Sequence, residues 1–272
     1  PHFLGGAVGF WGYELARHFD RIYFRSKENE DLPDLWLLFF RELVVFDHKT
    51  KKYRLISWLV PKKGVSFEES EAQAEKSLEE MEGLLFSGTS QPSNGHFRFL
   101  KFKPEISKKR FEGMVKKTKS YIEAGDIYQA NLSQRFSFEF DGSPLKLYDR
   151  LRKTNPSPFS AVLHLNDLFI ASSSPELLLS KKGKTCVTRP IAGTRPRGRR
   201  PGEMRRQSRE LFASEKERAE HLMLVDLERN DLGRVSEWKS VQVEDFMRLE
   251  RYARVIHIVS EIKGRLRAGK DA

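Results

Sequence analysis

The amino-acid sequence predicts an α+β fold, and three observations carry that reading. Apolar and alternating runs such as FRFLKFKP (97–104) follow the two-residue period of strands. Two serines open amphipathic stretches with capping boxes, Ser66-Phe-Glu-Glu69 and Ser214-Glu-Lys-Glu217, which mark helix starts. The two kinds of element interleave without regular strand–helix–strand alternation, which argues against a doubly wound parallel sheet.

In chain order, GGAVGFWGYELARHFD (5–20) carries Gly5, Gly6, Gly9 and Gly12 and leads into a short helical run, Tyr13 to Phe19. It has neither the G-x-G-x-x-G order nor the GK[ST] of phosphate loops, so close strand packing explains its glycines better. WLLFFRELVVFD (36–47) and YRLISWLV (53–60) read as an antiparallel hairpin of largely buried strands. The helix opened by Ser66 is expected to reach about Phe86, with Leu78, Met81 and Leu85 in helical spacing. Ser87 to Gly95 is turn and linker chemistry and divides the chain into 1–95 and 96–272.

FRFLKFKP then gives a strand. Ser107 starts a helix with Phe111, Met114, Val115, Tyr121 and Ile122 on one face, ended by Gly125. Asp126 to Phe140 alternates in parts and is expected to be a strand entering the core. NPSPFSAVLHLNDLFIASSSPELLL (155–179) predicts a proline-rich turn, two strands, and a polar turn at Ser172-Ser-Ser-Pro175. Lys184 to Ile191 reads as another strand, and the helix opened by Ser214 should run to about Glu228.

The 272 residues suffice for one large domain or two small ones. With 32% charged residues and 20 phenylalanines, the composition is that of a folded protein with a heavily charged surface. Cys186 is the single cysteine, so no internal disulfide forms and a reducing, cytoplasmic setting is expected. No apolar run approaches the roughly 18 residues of a membrane span, and no signal-peptide pattern is present. The chain opens on Pro1-His2-Phe3 and ends abruptly at Ala272, so a piece of a longer protein is expected.

The net charge of +11 raises nucleic-acid binding as a possibility. Much of the excess falls on Arg195, Arg197, Arg199, Arg200, Arg205, Arg206 and Arg209, read as one polar loop with no aromatic residue to stack on bases. Without a zinc spacing or an RNA-recognition signature, a solvated loop is the better account, and nucleic acid is not the expected partner.

Several residues are candidates for chemistry, each with a structural alternative. Glu176 follows Ser-Ser-Ser-Pro at the edge of an apolar run; burial would make it a general acid, and solvent exposure an ordinary strand-end glutamate. Glu217 and Glu220 are three apart on one helix and suit a hard divalent cation, although Glu217 also completes the capping box. His257 lies within an apolar strand, where a satisfied core histidine is the usual outcome. Gln129 and Asn131 are amides in an expected buried strand and need partners, of which a ligand is one. The charge-dense stretch 225–235 reads as mainly structural pairing.

Taken in order, GDIYQANLSQRF, NPSPF, SSSPELLL, TRPIAGTRPRG, EKERAEHLMLVDLERNDLGRV and ERYARVIHIVSEIKGRL resemble the chorismate-binding domain of anthranilate synthase component I and its relatives. The resemblance covers about Ser107 to Leu266, and GGAVGFWGYELARHFD and LPDLW are similar to the end of the preceding N-terminal region. It implies an α+β sandwich of two large sheets with helices packed outside, incomplete here. Residues 1–95 would close the N-terminal region, and 96–272 would form a truncated chorismate-binding domain. It further implies Mg²⁺ as cofactor, chorismate as substrate in a cleft between the sheets, and a glutamine amidotransferase subunit as the source of ammonia. Ammonia adds at C2 of the ring as the C4 hydroxyl leaves, and loss of pyruvate gives anthranilate for tryptophan biosynthesis.

By that resemblance, Glu176 is the acid for the departing hydroxyl, Glu220 a Mg²⁺ ligand, and His257 a residue of the pyruvate-elimination step. Gly193 and Thr194 line the substrate site. Gln129 stands where water-using relatives, the isochorismate and salicylate synthases, carry a lysine base. Ala192 stands where many aminodeoxychorismate synthases carry a nucleophilic lysine. Both substitutions favour direct ammonia attack, hence anthranilate synthase, with aminodeoxychorismate synthase as the alternative because DLERNDLGRV and GGAVGFWGYEL are similar to that group too. Asn155, Pro156, Ser157 and Phe159 match part of the family's tryptophan inhibitor site, or simply form a proline-rich turn. The family continues past this end with a further Mg²⁺-binding glutamate, so these 272 residues alone are expected to turn over little.

Overall fold

The computed structural model describes residues 3–19, 21, 32–87, 97–198 and 200–270. It divides into two compact units, Pro1–Asn94 and Gly95–Ala272. Helices and antiparallel strands interleave in both, as an α+β fold requires.

In the first unit β1 (Gly6–Trp11) pairs with β2 (Leu35–Phe40), and β3 (Glu42–Asp47) pairs with β4 (Lys52–Ser57). The apolar run 36–47 is therefore two strands, broken at Arg41 and joined to different partners, and not one arm of a hairpin. Nor are these strands largely buried. Trp36 and Leu38 are half-covered while Leu35, Leu37 and Phe39 are exposed, because a two-stranded ladder has too little around it to cover both faces. Close packing does explain Gly9, where a Cβ would fall 1.8 Å from the Trp36 carbonyl oxygen. Tyr13–His18 forms a short 3-10 turn. Helix α1 (Phe67–Phe86) starts at a full capping box. The Glu69 N–H donates to Ser66 Oγ at 3.1 Å, and the Ser66 N–H donates to Glu69 Oε2 at 3.0 Å.

In the second unit, β5 (Phe97–Pro104) pairs with β6 (Phe136–Gly142), and α2 (Lys108–Glu123) lies between them in sequence. Gly125 adopts φ 79° just beyond α2, the left-handed turn expected of a helix stop. Residues 126–135 are irregular, so the expected strand from Asp126 begins only at Phe136, and Gln129 and Asn131 are exposed amides. Helix α3 (Pro144–Thr154), which apolar spacing alone did not bring out, is signalled by Ser143 before Pro144, a proline at the first helical position. Strands β7 (Phe159–Leu165) and β8 (Leu168–Ser174) form a hairpin, and Ser172 to Ser174 belong to β8 rather than to a turn.

The remaining strands build a five-stranded antiparallel sheet from β9 (Leu177–Lys182), β10 (Thr185–Arg189), β11 (Ile191–Pro196), β12 (Gln242–Arg251) and β13 (Val255–Arg265). Strand β13 holds β12 on one edge, and β11 and β10 end to end on the other, with Pro190 at the break between them. Helices α4 (Pro201–Ala213) and α5 (Glu215–Val235) pack on this sheet. The expected arginine loop is thus part strand, part helix. Arg205, Arg206 and Arg209 lie on α4, Arg195 is in β11, and Arg199 falls outside the described residues. Helix α5 also continues past Glu228 to Val235, and Arg229 pairs with Asp226 at 2.8 Å within it.

Two apolar clusters close this layer. One joins Cys186, Val225, Leu232, Ile262 and Leu266; the other joins Leu211, Ile256 and Ile258, with Met204, Met247 and Leu249 against them. Between them His221 is fully buried, its Nε2 2.7 Å from Ser260 Oγ, which accepts the Met247 N–H at 3.0 Å. Among the described residues no helix is long and apolar enough to cross a membrane.

Burial pushes the His221 imidazole down to about 4 from an ordinary 6.5. Between those values the unfolded chain binds a proton that the fold refuses. Stability is therefore complete above the higher value and is lost as pH falls through the window, by on the order of 3 kcal/mol in all. Thermal unfolding followed from pH 7 to 4.5 should show this slope, and His221→Gln should flatten it relative to the parent chain. An equal slope in both would remove His221 as its source.

Candidate active site

The strand break at Pro190 creates the site. Register between β11 and β13 pairs Ala192 with Ile258 and Thr194 with His257, which leaves Gly193 as an extra residue in a bulge. Gly193 has φ 71°, a left-handed conformation that glycine adopts without strain. A Cβ there would come 3.0 Å from Leu211 Cδ1 and 3.1 Å from Glu217 Oε2, so only glycine lets α5 approach the bulge this closely.

The bulge fixes the histidine. His257 Nδ1 lies 3.0 Å from Thr194 Oγ1 and 3.3 Å from the Gly193 carbonyl oxygen. A carbonyl only accepts, so this geometry suits an imidazole that carries its hydrogen on Nδ1 and leaves Nε2 as a base. Among the described residues Nε2 has no hydrogen-bond partner. His257 is 9% exposed, so the core position expected of a strand histidine is confirmed, with one ring nitrogen left for chemistry.

On the other side of Gly193 stands Glu217. Its N–H is capped by Ser214 Oγ at 3.3 Å, but its carboxylate does not reach back to complete a capping box. Oε1 instead accepts from Arg195 Nη1 at 3.0 Å. Glu220 follows one turn later and is half-buried. Mg²⁺ commonly binds through one or two carboxylates, with water and substrate oxygens completing its shell; Glu217 and Glu220 are of that chemistry, but Glu217 Oε1 is taken up by Arg195. Among the described residues no group of three or more His, Cys, Asp or Glu side chains converges to hold a metal.

Glu176, just ahead of β9, is exposed, the strand-end position and not the buried one, so burial does not make it an acid and that role rests on the family resemblance. Its Oε1 accepts the Ile191 N–H at 2.8 Å, and its own N–H donates to Ser174 Oγ at 3.3 Å. Glu228 lies on α5 near it and bonds to Thr188 Oγ1. Burial raises the Glu228 carboxyl above its ordinary range. The Thr188 bond opposes this in part, and repulsion from Glu176 and Asp231 adds to it. Glu228 escaped sequence reasoning because nothing in DLERNDLGRV says which of its charges meets a buried threonine.

Gln129 stands apart from this cluster. With Tyr128 it borders a cavity of about 480 Å³ against Ala219, Leu222, Met223 and Asp226 of α5. At 100° per residue these occupy the helix stripe opposite Glu217 and His221. The turn of Asn155, Pro156, Ser157 and Phe159 follows α3 and is tied to β8: Ser173 Oγ donates to the Asn155 carbonyl at 2.6 Å and lies 3.1 Å from Ser157 Oγ. The α4 arginines face outward, and Arg206 pairs with Glu210 at 3.6 Å.

Residues 1–272 match the family described as chorismate binding enzyme. The chain is 42% identical to the aminodeoxychorismate synthase component 1 of Bacillus subtilis, over all of this chain and 57% of the relative. It is 40% identical to the anthranilate synthase component 1 of Aquifex aeolicus, over all of this chain and 55% of that protein. The crystal structure of anthranilate synthase component I from Streptococcus pneumoniae superposes with a TM-score of 0.85 at 37% identity, covering 98% of this chain and 59% of that one. The chain thus spans little more than half the length of these relatives and shares the fold of anthranilate synthase component I. The ordered motifs, the Gly193 bulge and the match along the whole sequence lead to one conclusion: this chain belongs to the family of chorismate binding enzymes.

Proposed function

We propose that this chain is the chorismate-binding part of an anthranilate synthase component I, which aminates chorismate with ammonia from a glutamine amidotransferase subunit and then eliminates pyruvate. The observation that carries this reading is Ala192, a buried methyl group beside the Gly193 bulge. It offers no amine for a covalent adduct and leaves ammonia to attack directly. Gln129 agrees with it by residue type alone, since an amide does not deprotonate water and ammonia needs no such base. Its exposed position across α5 from Glu217 gives it no contact with the other described site residues.

In this reading Glu176 protonates the C4 hydroxyl as ammonia adds at C2. His257 Nε2 then takes the C2 proton as the C3–O bond breaks; enolpyruvate leaves with the ether oxygen and the ring becomes aromatic. The Gly193 backbone and Thr194 hold the substrate beside that nitrogen. Glu220 and Glu217 would hold Mg²⁺, which neutralises the substrate carboxylate next to the carbon attacked.

A second reading, release of 4-amino-4-deoxychorismate, is favoured by one observation, the 42% identity to an aminodeoxychorismate synthase. The assay that separates them gives the enzyme at its natural length chorismate, Mg²⁺ and ammonium. Anthranilate fluorescence with one pyruvate per chorismate is expected. Accumulation of 4-amino-4-deoxychorismate would establish the second reading, and no consumption of chorismate would overturn both.

A further inference from the structure

The turn between β12 and β13 carries an aromatic residue that the reading above leaves without a task. Tyr252 closes the turn through its N–H, which donates to the Val255 carbonyl at 2.8 Å. Its half-buried ring lies against the His257 imidazole, centroids 5.3 Å apart at 67°, an edge-to-face contact. The Tyr252 hydroxyl donates to Glu250 Oε2 at 2.8 Å, and Glu250 is the cross-strand neighbour of His257. Glu250 is held in turn by Arg189 and Arg248, and Arg189 Nε lies 3.4 Å from Glu261 Oε2.

Resting on the role of His257 given above, we propose that Tyr252 is the positioning residue for the pyruvate-elimination step, holding the His257 imidazole so that Nε2 faces the substrate. The imidazole is then restrained twice. Gly193 and Thr194 hold Nδ1, and the Tyr252 edge blocks rotation of the ring about its Cβ–Cγ bond. The hydroxyl itself is not the acid or base. Burial, with the hydrogen bond to Glu250, pushes it up to about 12, so it stays protonated throughout any neutral assay. Its bond to Glu250 ties the ring to the Arg189 ion pairs, and Arg189 directly precedes the Pro190 strand break. The two supports of the histidine thus meet at one corner of the sheet.

The distinguishing quantity is pyruvate released per chorismate consumed, measured on the enzyme at its natural length with chorismate, Mg²⁺ and ammonium. For Tyr252→Leu this ratio should fall about fivefold, the scale of one aromatic contact, with chorismate consumption within about twofold of the parent. Tyr252→Phe keeps the ring edge and should restore the parent ratio. A parent ratio in Tyr252→Leu would overturn the proposal. If that variant does not fold, Tyr252→Met carries the same expectation. His257→Ala separates the premise from the proposal: an unchanged ratio there removes the role of His257 itself. A lowered ratio in His257→Ala with none in Tyr252→Leu removes only the positioning role. In the unaltered protein, imidazole ¹⁵N shifts of His257 should report a single tautomer protonated on Nδ1, and averaging between two tautomers would also count against the proposal.

Discussion

Glu176→Gln is expected to lower chorismate turnover by about 10²–10⁴-fold, the usual contribution of a positioned general acid, while leaving the fold intact. The geometry makes this a clean substitution. The carboxylate accepts the Ile191 N–H at 2.8 Å, and a glutamine carbonyl oxygen accepts that bond equally well. The backbone anchor through Ser174 does not involve the side chain. In the proposed mechanism, what disappears is the proton for the departing hydroxyl. The test pairs steady-state turnover with thermal unfolding of parent and variant. Turnover within threefold of the parent would remove Glu176 as the acid, whereas a collapsed melting temperature would show that its bond to Ile191 holds the strand break together.

Leu211→Ala should cost about 3 kcal/mol of stability, within the range for emptying a fully buried leucine site. Leu211 is 0% exposed on α4 and packs with Ile256 and Ile258 of β13. It also approaches Gly193, where a Cβ would meet its Cδ1 at 3.0 Å. The cavity would open directly behind the bulge that presents Thr194 and His257, so turnover should fall together with stability. For a unit of this size the melting temperature should drop by roughly 6–12 °C. Leu211→Met, close to the same volume, should cost less than about 1.5 kcal/mol. A drop below about 2 °C in the alanine variant would mean that Met204 and Met247 collapse into the space, and would count against a rigid support for the bulge.

Much of this arrangement was legible from local sequence. The Ser66 and Ser214 caps, the stop at Gly125 and the strands around Phe97 and His257 stand where contiguous residues said they would. The family resemblance put Gly193 and Thr194 at the substrate site, and in the structure Gly193 is in the left-handed region with Glu217 against it. Two misreadings turn on partners distant in sequence: Arg41 divides the run 36–47 between different strand partners, and residues 126–135 form no strand. The helix that holds the arginines after Pro201 had a local signal, a proline at its first position as in α3.

The sequence by itself determined the α+β class, the local helix and strand signals, and the residue types able to act as acid, base and metal ligand. Capping, period and left-handed turns are properties of a few neighbouring residues, which is why most of them could be read locally, although Arg195 draws Glu217 out of its capping box. Only the tertiary structure decided that Thr194 and His257 meet across 63 positions, that Arg195 takes up Glu217, that Gln129 lies on the opposite stripe of α5, and that Tyr252 braces the histidine. Those pairings follow from strand register and helix rotation. A shift of one residue turns a side chain to the other face of a sheet or by 100° around a helix, and that choice is made by burial summed over the whole unit.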